Sequence, residues 1–169
     1  MEARDISRAH DQQPFQISLR VRHPSIDPGT ISRELRVDAE YSFKAGEPRE
    51  SGSGIAATSV HAESYWLGSL GSIASAGLMG GFTGARVSAA RERLQSGALE
   101  SLTLALEAIA VAFMRTHSDF IRRIQSEGGQ VSLLIELSTQ SLSGFTLSPQ
   151  FNRMVGELGV AVEFDFVSS

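Results

Sequence analysis

Strict alternation opens the patterned part of the chain: in "FQISLRVRH", Phe15, Ile17, Leu19 and Val21 take one side and Gln16, Ser18, Arg20 and Arg22 the other. A period of two predicts a half-buried strand. The pattern then changes. In "HPSIDPGTISREL", Asp27 stands as an N-cap, Pro28 takes the first helical position, and Ile31 with Leu35 shares one face, so a short helix is predicted. "AEYSFK" reads as a returning strand, and the Gly/Ser-rich run 45–62 as turns. "ESYWLGSL" is a second, shorter strand, on which Tyr65 and Trp66 fall on opposite sides, with Trp66 inward.

A helical period takes over from about Ala98 to Glu127. Leu99, Leu102, Leu106, Ile109 and Phe113 recur at three and four residues, and Phe120 with Ile124 continues the stripe past a break at "THSD". Gly128-Gly129 stops it. "QVSLLIELS" alternates again, with Val131, Leu133, Ile135 and Leu137 inward, and "GFTL" reads as a brief extended piece. Ser148-Pro149 then repeats the device of Asp27-Pro28, a helix runs to Leu158, and after Gly159 comes the last strand, "VAVEFDFV".

Two similar units emerge, each a strand, a polar residue followed by Pro, a short helix ending in "REL" or "GEL", and a returning strand. The expectation is an α+β fold: a ferredoxin-like sandwich with a mixed sheet, helices mainly on one face, and two βαβ-like units. The 169 residues suffice for one domain, placed at 14–169 after a flexible leader at 1–13. Leu67 to Ala85 carries no charge, but only Leu67, Leu70, Ile73, Leu78, Met79 and Phe82 are large and apolar. That drive is too weak for a membrane span, and a Gly/Ser-rich connector or insertion at about 68–85 is expected instead.

Charge and composition narrow the function classes. The formal charge is -4, and residues 128–169 hold one arginine, Arg153, against Glu136, Glu157, Glu163 and Asp165. A nucleic-acid partner has no basic footprint to use. The absence of cysteine removes disulfides and thiolate chemistry, the N-terminus lacks the apolar core of a signal peptide, and a cytoplasmic location is expected. Fourteen of the fifteen cations are arginine, which makes the lone lysine, Lys44, less conspicuous. Its surroundings, "KAGEPR", are those of a strand-ending turn made by Gly46 and Pro48.

No catalytic set is legible. Gly-x-Ser-x-Gly is missing, and "GLMGGFTGAR" lacks the Lys-Ser/Thr ending of a phosphate loop. His61-x-Glu63 and His117-x-Asp119 supply ligand-type atoms, but nothing in their spacing makes them converge, so no metal and no cofactor are expected. Two groups of residues remain. Arg20 and Arg22 on the first strand, with Glu136, Glu163 and Asp165 on two later ones, form either a cross-strand charge network or a polar docking face. His23, Lys44, Glu47, Arg49 and Trp66 form the alternative, a cleft in which an aromatic ring and cations hold a small anionic ligand.

The run from "FQISLRVRHPSIDPGTISREL" through the Lys44-Ala45-Gly46-Glu47 turn, Trp66, "FTLSPQFNRMVGELGVAVEFDF" and Asp165 resembles a bacterial family catalogued as domain of unknown function forty-two seventy-nine. The resemblance covers Phe15 to Val167 and rests on the order of the motifs. The last strand departs from it, reading "FDFV" where the family pattern has a tyrosine near the end. Relatives of that family that look like immunity proteins of toxin systems make another protein the implied partner. A non-enzymatic protein-binding domain, immunity or toxin-neutralising, is therefore expected, and a small-ligand sensor or enzyme built on the Lys44–Trp66 cleft is the alternative.

Overall fold

The structure, a computed structural model, describes residues 15–49, 59–70, 99–138 and 146–167. The expected leader and most of the Gly/Ser-rich connector lie outside the described residues, as does the start of "GFTL". Within them the chain runs β1 (Phe15–His23), α1 (Pro28–Leu35), β2 (Tyr41–Phe43), β3 (Ser64–Ser69), α2 (Leu99–Thr116), α3 (Ser118–Ser126), β4 (Gln130–Ser138), α4 (Pro149–Glu157) and β5 (Ala161–Val167).

The alternating runs make one mixed sheet in the order β2-β3-β1-β4-β5. β1 is antiparallel to β3 and to β4, β2 is antiparallel to β3, and β4 and β5 are parallel. Registers such as Leu19 opposite Leu133 and Val21 opposite Trp66 gather Ile17, Leu19, Val21, Trp66, Val131, Leu133 and Ile135 on one face, all buried. Every described helix adds side chains to the same cluster: Ile31 and Leu35 from α1, Phe113 and Met114 from α2, Ile121 and Ile124 from α3, Phe151 and Val155 from α4. The helices therefore cover one face, as the alternation of apolar and polar positions requires.

The expected sandwich of two equivalent units needs correction. β1 and β2 run parallel with β3 between them, whereas β4 and β5 are direct neighbours. A fifth strand and a parallel pair take the sheet beyond two matching βαβ halves. The Gly/Ser-rich stretch also begins later than expected, because Gly68 and Ser69 are strand residues and Leu70 is fully buried. Among the described residues no helix is long and apolar enough to cross a membrane.

The break predicted at "THSD" falls on His117, which separates α2 from α3 with φ -108° and ψ 16°. Its ring tilts against Phe113 at 4.6 Å between centroids. Burial, and secondarily the nearby Arg36 guanidinium, holds its pKa below the usual 6.5, with Glu34 opposing.

Candidate functional site

The helix-free face of the sheet follows from the same registers, read one residue over. It carries Tyr41 and Phe43 on β2, Tyr65 and Leu67 on β3, Arg20 and Arg22 on β1, Leu134 and Glu136 on β4, and Glu163 and Asp165 on β5. Two kinds of chemistry occupy opposite parts of it.

At the β2–β3 corner the rings form a cluster. Phe43 lies between His61 and Tyr65, stacked on both at centroid distances of 3.6 and 5.3 Å. Tyr41 meets Tyr65 edge-on at 5.8 Å and keeps 59% of its surface exposed. The pairing of Phe43 with Tyr65 and of Tyr41 with Leu67 explains the assembly, since cross-strand neighbours on one face lie within ring reach. Alternation on β3 puts Tyr65 on the outer side, but the cluster is not legible in the sequence. Its signal was the period-two aromatic pair of Tyr41 and Phe43, hidden by a strand only three residues long.

Beyond that corner the face carries its charges, with Leu134 among them. Arg20 reaches across β4 to bond Glu163, and Arg22 lies 3.8 Å from Glu63 with both partners half-exposed. The strands that carry these charges, β1, β4 and β5, lie side by side in the sheet. Glu136 and Asp165 are paired with each other in the β4–β5 register, and neither has a cation among the described residues. Of the expected network, the Arg20–Glu163 pair is the part that forms among the described residues; Arg22 turns to Glu63, and Glu136 and Asp165 stand outside it.

The residues of the alternative cleft are placed differently. Trp66 is fully buried on the core face, and its indole N–H donates to Ser32 Oγ at 2.9 Å, tying β3 to α1. The ring folds over Gly68, where an added Cβ would fall 2.4 Å from it. Only glycine fits beneath that indole, and Trp66 presents no edge to a ligand. His23 is 4% exposed, and its Nδ1 accepts the backbone N–H groups of Ser25 and Ile26 at 3.1 and 2.9 Å. That pattern assigns the ring proton to Nε2, which faces Glu127 at 3.3 Å without the alignment of a hydrogen bond. Neither nitrogen offers a lone pair outward, so His23 braces the β1–α1 turn.

Lys44, Glu47 and Arg49 lie on an exposed ribbon. Glu47 Oε2 accepts the Lys44 N–H at 2.8 Å, the Glu47 N–H donates to the Lys44 carbonyl at 3.1 Å, and Gly46 has a φ of 86°. The turn does not end the ribbon as expected: Gly46 and Arg49 donate to His61 and Ser59, so pairing resumes beyond it. Among the described residues Lys44 Nζ reaches Asp27, 3.7 Å away, in a surface pair of the kind that contributes at most about 1 kcal/mol. Among the described residues these five side chains line no common cleft. No group of three or more metal-ligating side chains converges among the described residues.

Compared with family models, curated proteins and solved structures, the chain matches none of them.

Proposed function

We propose that this chain is a non-enzymatic domain that binds another protein through the helix-free face of its sheet. The observation that carries the reading is the corner of Tyr41, Phe43, His61 and Tyr65, an aromatic cluster left in contact with solvent. Tyrosine rings bring large contact area at low conformational-entropy cost and are enriched where protein surfaces meet. The paired charges of Arg20 with Glu163 and Arg22 with Glu63 beside them supply a polar rim that orients a partner. An immunity or toxin-neutralising role, implied by the resemblance to domain of unknown function forty-two seventy-nine, is one form of this reading. A cytoplasmic setting belongs to the same proposal.

The architecture is part of it. The order β2-β3-β1-β4, with α1 and the α2–α3 pair as crossovers, supports a ferredoxin-like core to which α4 and β5 add along β4.

Proteins encoded beside this one are the first partners to test. Titration calorimetry with each purified neighbour should find one that binds, and the Tyr41→Ala/Tyr65→Ala double variant should weaken that binding at least tenfold while unfolding at the wild-type temperature. Unchanged affinity in the folded double variant rejects the face as the contact surface.

A further inference from the structure

The charges of the open face do not cancel. Among the described residues its two guanidiniums are paired, Arg20 bonded to Glu163 and Arg22 more loosely beside Glu63. What remains is Glu136 beside Asp165, two carboxylates in direct cross-strand register, of which Asp165 is exposed. Like charges directly opposite on paired strands are destabilising. A sheet face selected for stability alone gains nothing from them, whereas an incoming cation turns the repulsion into attraction. The whole chain, at -4, adds a long-range pull of the same sign.

The aromatic corner lies across the sheet from this pair. Tyr41 on β2 is level with Ala161 through the registers, so Asp165 on β5 lies four strand steps across, roughly 19 Å at about 4.8 Å per step, and four residues along, roughly 13 Å at about 3.3 Å per residue. A contact patch of about 800 Å² per partner covers that span, so one protein surface can engage both corners. One side chain suits both. A guanidinium stacks flat on a tyrosine ring and also binds carboxylates through a planar fork, while an ammonium does the first poorly and the second only as a point charge.

We infer that the open sheet face binds an arginine-bearing surface of another protein, with one arginine held by Glu136 and Asp165 and another stacked on Tyr41 and Tyr65. The inference rests on the open face being the contact surface and adds the chemistry of the partner. A second copy of this chain docking through the same face is a poorer occupant, because Arg20 of that face is bonded to Glu163 and Arg22 lies beside Glu63.

The test uses a fluorescein-labelled synthetic peptide alternating Arg with Ser, about 12 residues long so that it crosses the face at roughly 3.3 Å per residue, and its Lys counterpart of equal charge. Anisotropy titrations of the full chain should show saturable binding, at least fivefold tighter for the Arg peptide. Glu136→Gln/Asp165→Asn should weaken it about tenfold, and Tyr41→Ala/Tyr65→Ala should erase the preference for Arg over Lys. Equal binding of the two peptides, no saturable binding, or titrations unchanged by Glu136→Gln/Asp165→Asn would overturn the inference, as would sedimentation showing self-association lost in Tyr41→Ala/Tyr65→Ala. If a neighbour-encoded partner loses affinity in Tyr41→Ala/Tyr65→Ala but not in Glu136→Gln/Asp165→Asn, the contact surface stands and its arginine chemistry fails. If the Arg peptide behaves as expected while no neighbour binds, the partner chemistry stands and the choice of partner fails.

Discussion

The units β1-α1-β2 and β4-α4-β5 read alike in sequence and are secured differently. Both helices begin with a polar residue and a proline. In the second, Ser148 Oγ accepts the Phe151 N–H at 3.1 Å, a true side-chain cap. In the first, Asp27 occupies the cap position with no such bond, and its carboxylate is turned toward Lys44. The helix ends differ too. Gln125 of α3 donates to the carbonyls of Leu158 and Gly159 at 2.7 and 2.9 Å, and Glu107 of α2 accepts the Ser148 N–H, so α4 is held at both ends by other helices. α1 closes on itself through Arg36, in the left-handed region at φ 54°, and is held to the sheet by the Trp66–Ser32 bond. Repetition of a motif thus predicts the element and leaves open which partners secure it.

The largest expected effect tests the first unit's dependence on one ring. Trp66→Ala should lower unfolding free energy by about 3–5 kcal/mol in urea titration, and Gly68→Ala, which drives a methyl into that ring, by about 1–3 kcal/mol. A loss well below 1 kcal/mol for Trp66→Ala would show that α1 is held by something other than the indole. The caps come next. Ser148→Ala should remove about 1 kcal/mol and Asp27→Ala no more than about 0.5 kcal/mol, and equal losses would erase the contrast between the units.

A smaller effect sits where α2 and α3 meet the first unit. Because the folded-state pKa of His117 lies below its ordinary 6.5, the unfolded chain takes up the proton first. Stability should therefore be intact above about pH 6.5 and decline as pH falls through the folded pKa. His117→Gln should flatten that part of the profile, measured as the urea midpoint between about pH 7.5 and pH 5.5. One substitution is expected to stabilise: Arg36→Gly relieves a left-handed backbone and should add up to about 1 kcal/mol, read as a rise in the urea midpoint.

The open face shows where reading residues one at a time stops. Outward placement of Arg20, Arg22, Glu136, Glu163 and Asp165 was legible, because alternation on a strand assigns faces without knowledge of neighbours. Which charges would meet was not. Arg20 selects Glu163 two strands away, and Glu136 and Asp165 are left together, only because the sheet order and register are what they are. Lys44 is the converse case. A lone lysine draws the eye, yet the backbone bonds and Glu47 make the turn, and its ammonium merely meets Asp27.

By itself the sequence determined the elements, their buried faces, the break at His117 and the turn after β2, since periodicity, proline and glycine act over a few residues. Tertiary structure alone decided that β3 slides between β1 and β2, that Trp66 belongs to α1 and Gly68 rather than to a cleft, and that Tyr41, Phe43, His61 and Tyr65 assemble into one corner. Those outcomes depend on contacts between residues far apart in the chain, where the free energy of packing and register outweighs any local preference.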